Sequence, residues 1–210
     1  MNGMTKLMTL SALAAVVVMG AGCILEETDV ELVVKATECM TFDENHTSET
    51  FVTPRTLNLA DELDDALEDF DVEREDLVRG GMIMATYEVT VPPVHDWTLT
   101  GGITVERVDK AAGPVTVVNY TSQSLMDAYG EPVFADLVQA GVDLINDAID
   151  DYIENTTHPN PVLLFKVVNG DCDPNPSVAD PLVFEWDACV QFYVVIRKTL
   201  EVPDPFPGSD

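Results

Sequence analysis

Apolar and polar residues alternate along most of this chain, and twice the period lengthens to that of a helix. Val30, Leu32, Val34 and Ala36 alternate with Glu31, Val33 and Lys35, so Thr28 to Phe42 reads as a strand. A polar stretch follows at 43–50. Over 57–70 the apolar residues Leu59, Leu63, Ala66, Leu67 and Phe70 recur at helical spacing, with Asn58 placed as an N-cap and Asp61 and Glu62 suited to the positive end of the helix dipole. From Met82 to Val91 the period returns to two, until Pro92 and Pro93 stop the strand. Trp97, Leu99, Ile103 and Val105 make a further run, with Gly101-Gly102 suggesting a bulge or a close backbone approach. The short Val94-His95-Asp96 loop predicts that these two runs are antiparallel neighbours. Val115–Thr121 is another strand.

The second helix is expected over 131–154. Val133, Leu137, Ala140, Gly141, Leu144, Ile145, Ala148, Ile149 and Tyr152 trace one broad apolar face opposite Asp136, Asp143, Asp147, Asp150 and Asp151. Pro132 fits its first turn. Val162–Val168 and Val183–Val202 complete the β content, the latter as one long bent strand or two. The sum is six or seven strands and two helices on one core. The expected fold is mainly β with two helices (α+β), an antiparallel β-sandwich or sheet with the helices packed on it.

The first 22 residues have a different pattern: a basic start at Lys6, an apolar core from Leu7 to Met19, and the small residues Gly20-Ala21-Gly22. This is the form of a secretory signal peptide. The core is shorter than the roughly 20 residues that span a bilayer. With Cys23 directly after the expected cut, the leader resembles those of bacterial lipoproteins. The resemblance covers residues 1–23 and implies that Cys23 receives lipid and becomes the new N-terminus. Gly20 stands where that family usually has Leu. Gly20 and Gly22 would equally serve an ordinary signal peptidase, which would leave Cys23 unlipidated. Ile24 follows the cysteine in place of the Asp that retains some family members at the inner membrane, which implies outer-membrane or surface display where the cell has two membranes. The expected organisation is therefore a signal peptide at 1–22, a tether at 23–29, a single β-rich domain at 30–202 and a loose tail at 203–210.

Charge narrows the partners. Removing the leader from 210 residues leaves 188, with 9 basic residues against 38 acidic ones. Such a balance excludes nucleic acid, which needs Lys and Arg for its phosphates, and docking of the protein surface on an anionic membrane. Attachment would come from the lipid. The spread of the acids along the chain fits a solvated surface adapted to salt better than a cation site. Even the ten acids within residues 61–76 fit the free faces of a helix and its exit loop.

Few constellations suggest chemistry. Asp171, Asp173 and Asn175 alternate in the manner of a calcium loop, with Asp180 further on, although Pro176 and Leu182 replace the Gly and Glu of an EF-hand. Asn, Asp, Gly and Pro are also what an ordinary turn prefers. His95-Asp96 could be an oriented base and Ser122 or Ser124 a nucleophile, but no Gly-x-Ser-x-Gly elbow is present. His46 and His158 lie in other loops. Trp97 and Trp186 read as core residues of alternating strands. Cys39, Cys172 and Cys189 permit one disulfide in three pairings. Cys172–Cys189 closes the shortest loop and is the expected bridge, with Cys39 a buried free thiol. The sequence thus points to a non-enzymatic envelope lipoprotein with a structural or binding role through an exposed loop face. The alternatives are a calcium-dependent binding or adhesion module and an exported hydrolase.

Overall fold

In the computed structural model, residues 28–68, 72–111, 113–154 and 158–200 are described. Two antiparallel sheets face each other. The first has the order β1-β9-β3-β6 and the second β2-β8-β4-β5-β7. In chain order the elements are β1 (Thr28–His46), β2 (Phe51–Asn58), α1 (Leu59–Glu68), β3 (Leu77–Val91), β4 (Thr98–Arg107), β5 (Val115–Ser124), β6 (Val133–Phe134), β7 (Asp136–Leu137), α2 (Gln139–Ile153), β8 (Val162–Asp173) and β9 (Leu182–Leu200). A short 3-10 turn at Arg74–Asp76 precedes β3. The expected mainly β sandwich with two helices is what forms. No helix among the described residues is long and apolar enough to cross a membrane.

Period-two patterning accounts for the two long central strands. Leu182, Phe184, Trp186, Val190, Phe192, Val194 and Ile196 of β9 are all buried, and they face Val34, Phe42 and Glu44 of β1, which share the inward parity. The core divides into two clusters. One holds α1 and α2 between the sheets, with Leu59, Leu63, Ile145, Ile149 and Tyr152 against Val105, Leu163, Phe192 and Ile196. In the other the sheets meet directly through Phe42, Phe51, Trp97, Leu99, Phe184 and Trp186.

Helix α2 approaches both sheets closely. At Gly141 a Cβ would overlap Val117 Cα and Cβ of β5, and at Gly80 of β3 it would come within 2.8 Å of Ile149 Cγ2. The carboxyl end of α2 is held by Arg74, whose Nε donates to Tyr152 O at 2.6 Å and whose Nη2 donates to Pro159 O at 2.6 Å. Its guanidinium lies 3.9 Å from the Tyr152 ring centroid, supplying from outside the helix the cation that its last turn lacks.

The structure corrects several local expectations. Strands β3 and β4 are not neighbours: β3 pairs with β9 and β6, whereas β4 pairs with β5 and β8 in the other sheet. Pro92 and Pro93 end β3 without a hairpin turn, and the chain crosses between layers. The helix expected over 131–154 begins only at Gln139, because Ala135 N bonds to Ala85 O and Val138 N to Val117 O, which pins this segment to both sheets as β6 and β7. Strand β2 was hidden in a polar, proline-containing stretch. It is an edge strand paired only with β8, where Pro54 is tolerated. Asn58 does precede α1, but its side-chain amide donates to Asp61 Oδ2 at 2.5 Å.

The disulfide joins Cys39 to Cys189, not Cys172 to Cys189, and Cys172 is the buried free thiol. Parity explains the correction. Cys39 and Cys189 are directly opposed residues of β1 and β9, both out of step with the buried positions of their strands. Cys172 belongs to the other sheet and faces the core. The signal peptide, Cys23, residues 24–27 of the tether and the 203–210 tail lie outside the described residues, as does Phe70.

Candidate functional site

Where the sheets meet without an intervening helix, they line a partly open apolar cavity of about 50 Å³. Tyr87 and Val89 of β3 and Phe184 and Trp186 of β9 form one wall. Phe51, Leu99, Ile103, Val118, Tyr120, Gln123 and Val167, from four strands of the second sheet, form the other. Leu125 and Ala128 close it from the turn that follows β5. That turn is clipped in place by Leu125 N to Trp97 O at 2.9 Å, Val89 N to Ala128 O at 2.8 Å and Gly130 N to Val89 O at 3.2 Å, with Gly130 at φ +74. A left-handed φ there favours glycine.

Three polar clusters border the cavity. Tyr87 Oη donates to Gln123 Oε1 at 2.7 Å, and burial pushes the Tyr87 hydroxyl above its ordinary pKa, so it stays neutral. Behind Trp186 lies Glu44, 2 % exposed. Its Oε1 accepts from Trp186 Nε1 at 3.3 Å, and its Oε2 accepts from Thr53 Oγ1 at 2.6 Å and contacts His46 Nε2 at 2.5 Å. His46 stacks on Phe51 with centroids 3.7 Å apart, and Phe42 stacks on Trp186 at 4.4 Å. Both carboxylate oxygens are therefore occupied. Glu44 orients the Trp186 ring as a cavity wall, and a buried acid with such partners avoids most of its desolvation penalty.

Burial, followed by the charges of Glu44 and Cys172, raises the Tyr120 hydroxyl far above its ordinary value, and Tyr120 Oη reaches Asn169 Oδ1 at 3.5 Å. Asn169 Nδ2 donates to Glu49 O at 2.7 Å and Asp171 O at 2.9 Å and contacts Cys172 Sγ at 3.6 Å. Burial pushes the Cys172 thiol up to about 11, against the smaller opposing effect of Asn169. It is thus a packed thiol, not a nucleophile at neutral pH.

The residues singled out from the sequence lie elsewhere. Asp171 and Asp173 flank buried Cys172 on β8 and are both exposed, so the Asp-x-Asp spacing is the alternation of a strand. Asn175 is exposed in the following loop, and Asp180 Oδ1 lies 3.6 Å from His95 Nε2. Among the described residues no three His, Cys, Asp or Glu side chains gather where they could hold one metal ion. Ser124 Oγ donates to Asp96 Oδ1 at 2.9 Å while His95 is turned to Asp180, so these side chains do not form a nucleophile–base pair. Ser122 has φ 49 and its N–H bonds to Thr100 Oγ1. His158 Nδ1 lies 3.6 Å from Asp109 at the buried Arg107 guanidinium, far in sequence from the other histidines. Trp97 and Trp186 are both buried, as expected.

Sequence reasoning missed Glu44, Thr53 and the cavity. The available signal was parity: Glu44 follows Met40 and Phe42 on the inward face of β1, where an acid is out of place. No protein-family model matches the chain, and no curated protein matches it.

Proposed function

We propose that this chain is exported, is lipid-anchored through Cys23, and serves a non-enzymatic binding role in the cell envelope, at the outer membrane where the cell has one. The leader pattern and Cys23 support the anchor. The observation that carries export is the Cys39–Cys189 bridge between β1 and β9, since such bonds persist in oxidising compartments and are rare in the cytosol. A binding role rests on the cavity: it is apolar, and no activated nucleophile or metal-ligand group adjoins it among the described residues. The acidic surface leaves nucleic acid out of account as a partner.

Cells producing the full chain and its Cys23→Ser variant, fed a labelled fatty acid, test the anchor. The expected result is label and a salt-resistant membrane fraction for the unaltered chain, with both lost in Cys23→Ser. An unlabelled, soluble chain with an intact mass beginning at Cys23 would establish ordinary secretion instead.

A further inference from the structure

The cavity has a chemistry that selects among ligands. We propose that it binds one uncharged, hydrocarbon-like molecule, a short alkyl segment with a neutral polar end, taken up past the turn carrying Leu125 and Ala128.

Volume, charge and the surface above the cavity support this. A space of about 50 Å³ corresponds to about four water-sized spheres, room for several methylenes and little more. No Lys, Arg, Asp or Glu lines it. An anionic head would find no cation and would face buried Glu44 behind Trp186. A cationic head would lose its hydration without meeting a free carboxylate, because both Glu44 oxygens are occupied. The Tyr87 hydroxyl, kept neutral by burial and directed to Gln123, retains acceptor capacity for an alcohol or similar neutral group. On its outer side the closing turn exposes Met126 (43 %) and Tyr129 (48 %) on either side of the exposed Asp127, while Leu125 and Ala128 are buried against the cavity. Exposed apolar side chains directly above an apolar cavity suit the transfer of an apolar guest.

The proposal deepens the binding reading, and one part of it uses the anchor as well. Thr28 and Glu44 are sixteen residues apart on β1, up to roughly 50 Å for a straight strand. Five residues from Cys23 to Thr28 reach at most about 18 Å. Glu44 lies near the end of β1 opposite Thr28, and the guest is taken to be an external molecule.

The test uses the full-length chain carrying Cys23→Ser, so that its outcome is independent of lipidation. Thermal midpoint and calorimetric titration are measured with 1-butanol, butyrate and butylammonium, probes of the size the space admits. Saturable binding of butanol at least tenfold tighter than of either charged probe is expected. Ala128→Leu, which fills the cavity from the turn, should lose that binding, and Val167→Phe, filling it from β8, serves if Ala128→Leu does not fold. Equal affinity for the three probes, no saturable butanol binding, or butanol binding unchanged in a folded filled variant would overturn the proposal. Failure of fatty-acid labelling at Cys23 would leave this result standing.

Discussion

Removing the Cys39–Cys189 bridge is the sharpest perturbation of this fold. The two residues are separated by 150 positions, so the bond closes almost the whole described chain. In the chain-entropy description a loop of that length restrains the unfolded state by about 5 kcal/mol, with about 2 kcal/mol a realistic lower value for a single bridge. Against total stabilities of about 5–15 kcal/mol for domains, that is a large share. The cysteines lie on the half-buried side of β1 and β9, opposite the core parity, so replacing both with Ala removes little packing. Urea unfolding followed by tryptophan fluorescence is the natural assay, because Trp97 and Trp186 are both buried. With a slope of about 2 kcal/mol per molar, Cys39→Ala/Cys189→Ala should lower the urea midpoint by about 1–2.5 M. In a Cys23→Ser background, alkylation of the unreduced, unfolded chain should label Cys172 alone. A midpoint shift below about 0.5 M, or a label found on Cys39 in place of Cys172, would refute the reasoning.

Gly141→Ala should destabilise by about 1–3 kcal/mol, although helix propensity alone favours Ala by about 1 kcal/mol, because the new methyl overlaps the Val117 backbone. Gly113→Ala, with nothing within 4 Å, should stay within about 0.5 kcal/mol, and equal effects of the two in thermal unfolding would contradict the packing of α2 on β5. Burial alone would raise the Asp109 carboxyl, but hydrogen bonds and charge from Arg107 hold it below its ordinary value. Its contribution is therefore present above about pH 4 and lost as pH falls through the lowered folded value, so the stability gap between the unaltered chain and Asp109→Asn should close on acidification. A gap that widens below pH 4 in urea titrations counts against the pairing. Because Asp171, Asp173 and Asp180 do not gather where they could hold one metal ion, Ca²⁺, Mg²⁺ and KCl at matched ionic strength should raise the thermal midpoint gradually and alike, by screening a formal charge of −28. A saturable rise with Ca²⁺ alone, abolished by Asp173→Asn, would restore a cation site.

Local pattern was enough to locate most of the elements. Alternation in β1 and β9 and the helical spacing in α1 and α2 report which side of each element is buried, and that depends on neighbours within a turn or two. In β3, register shifts after Met82 and Val89 break the parity, leaving Met82 buried and Ile83 and Val91 exposed. Expectations failed where long-range pairing overruled the local pattern. Residues 133–138 carry part of a helical stripe yet are captured as β6 and β7 by the backbone of β3 and β5. Phe51–Asn58 has weak strand patterning and becomes β2 because β8 offers it a ladder. The alternating acids at 171–173 were legible as a pattern, but a strand and a metal loop share it.

The sequence by itself determined a mainly β chain with two amphipathic helices and an acidic surface. It also placed both tryptophans inside. Only the tertiary structure decided which sheet each strand joins, and hence that Cys189 meets Cys39 across β1 and β9 while Cys172 faces the opposite layer. It also decided that Glu44 meets Trp186, His46 and Thr53 behind a cavity built from both sheets. Burial parity is written residue by residue, whereas a disulfide or a cavity needs partners brought together from distant strands, and no short stretch of sequence specifies those.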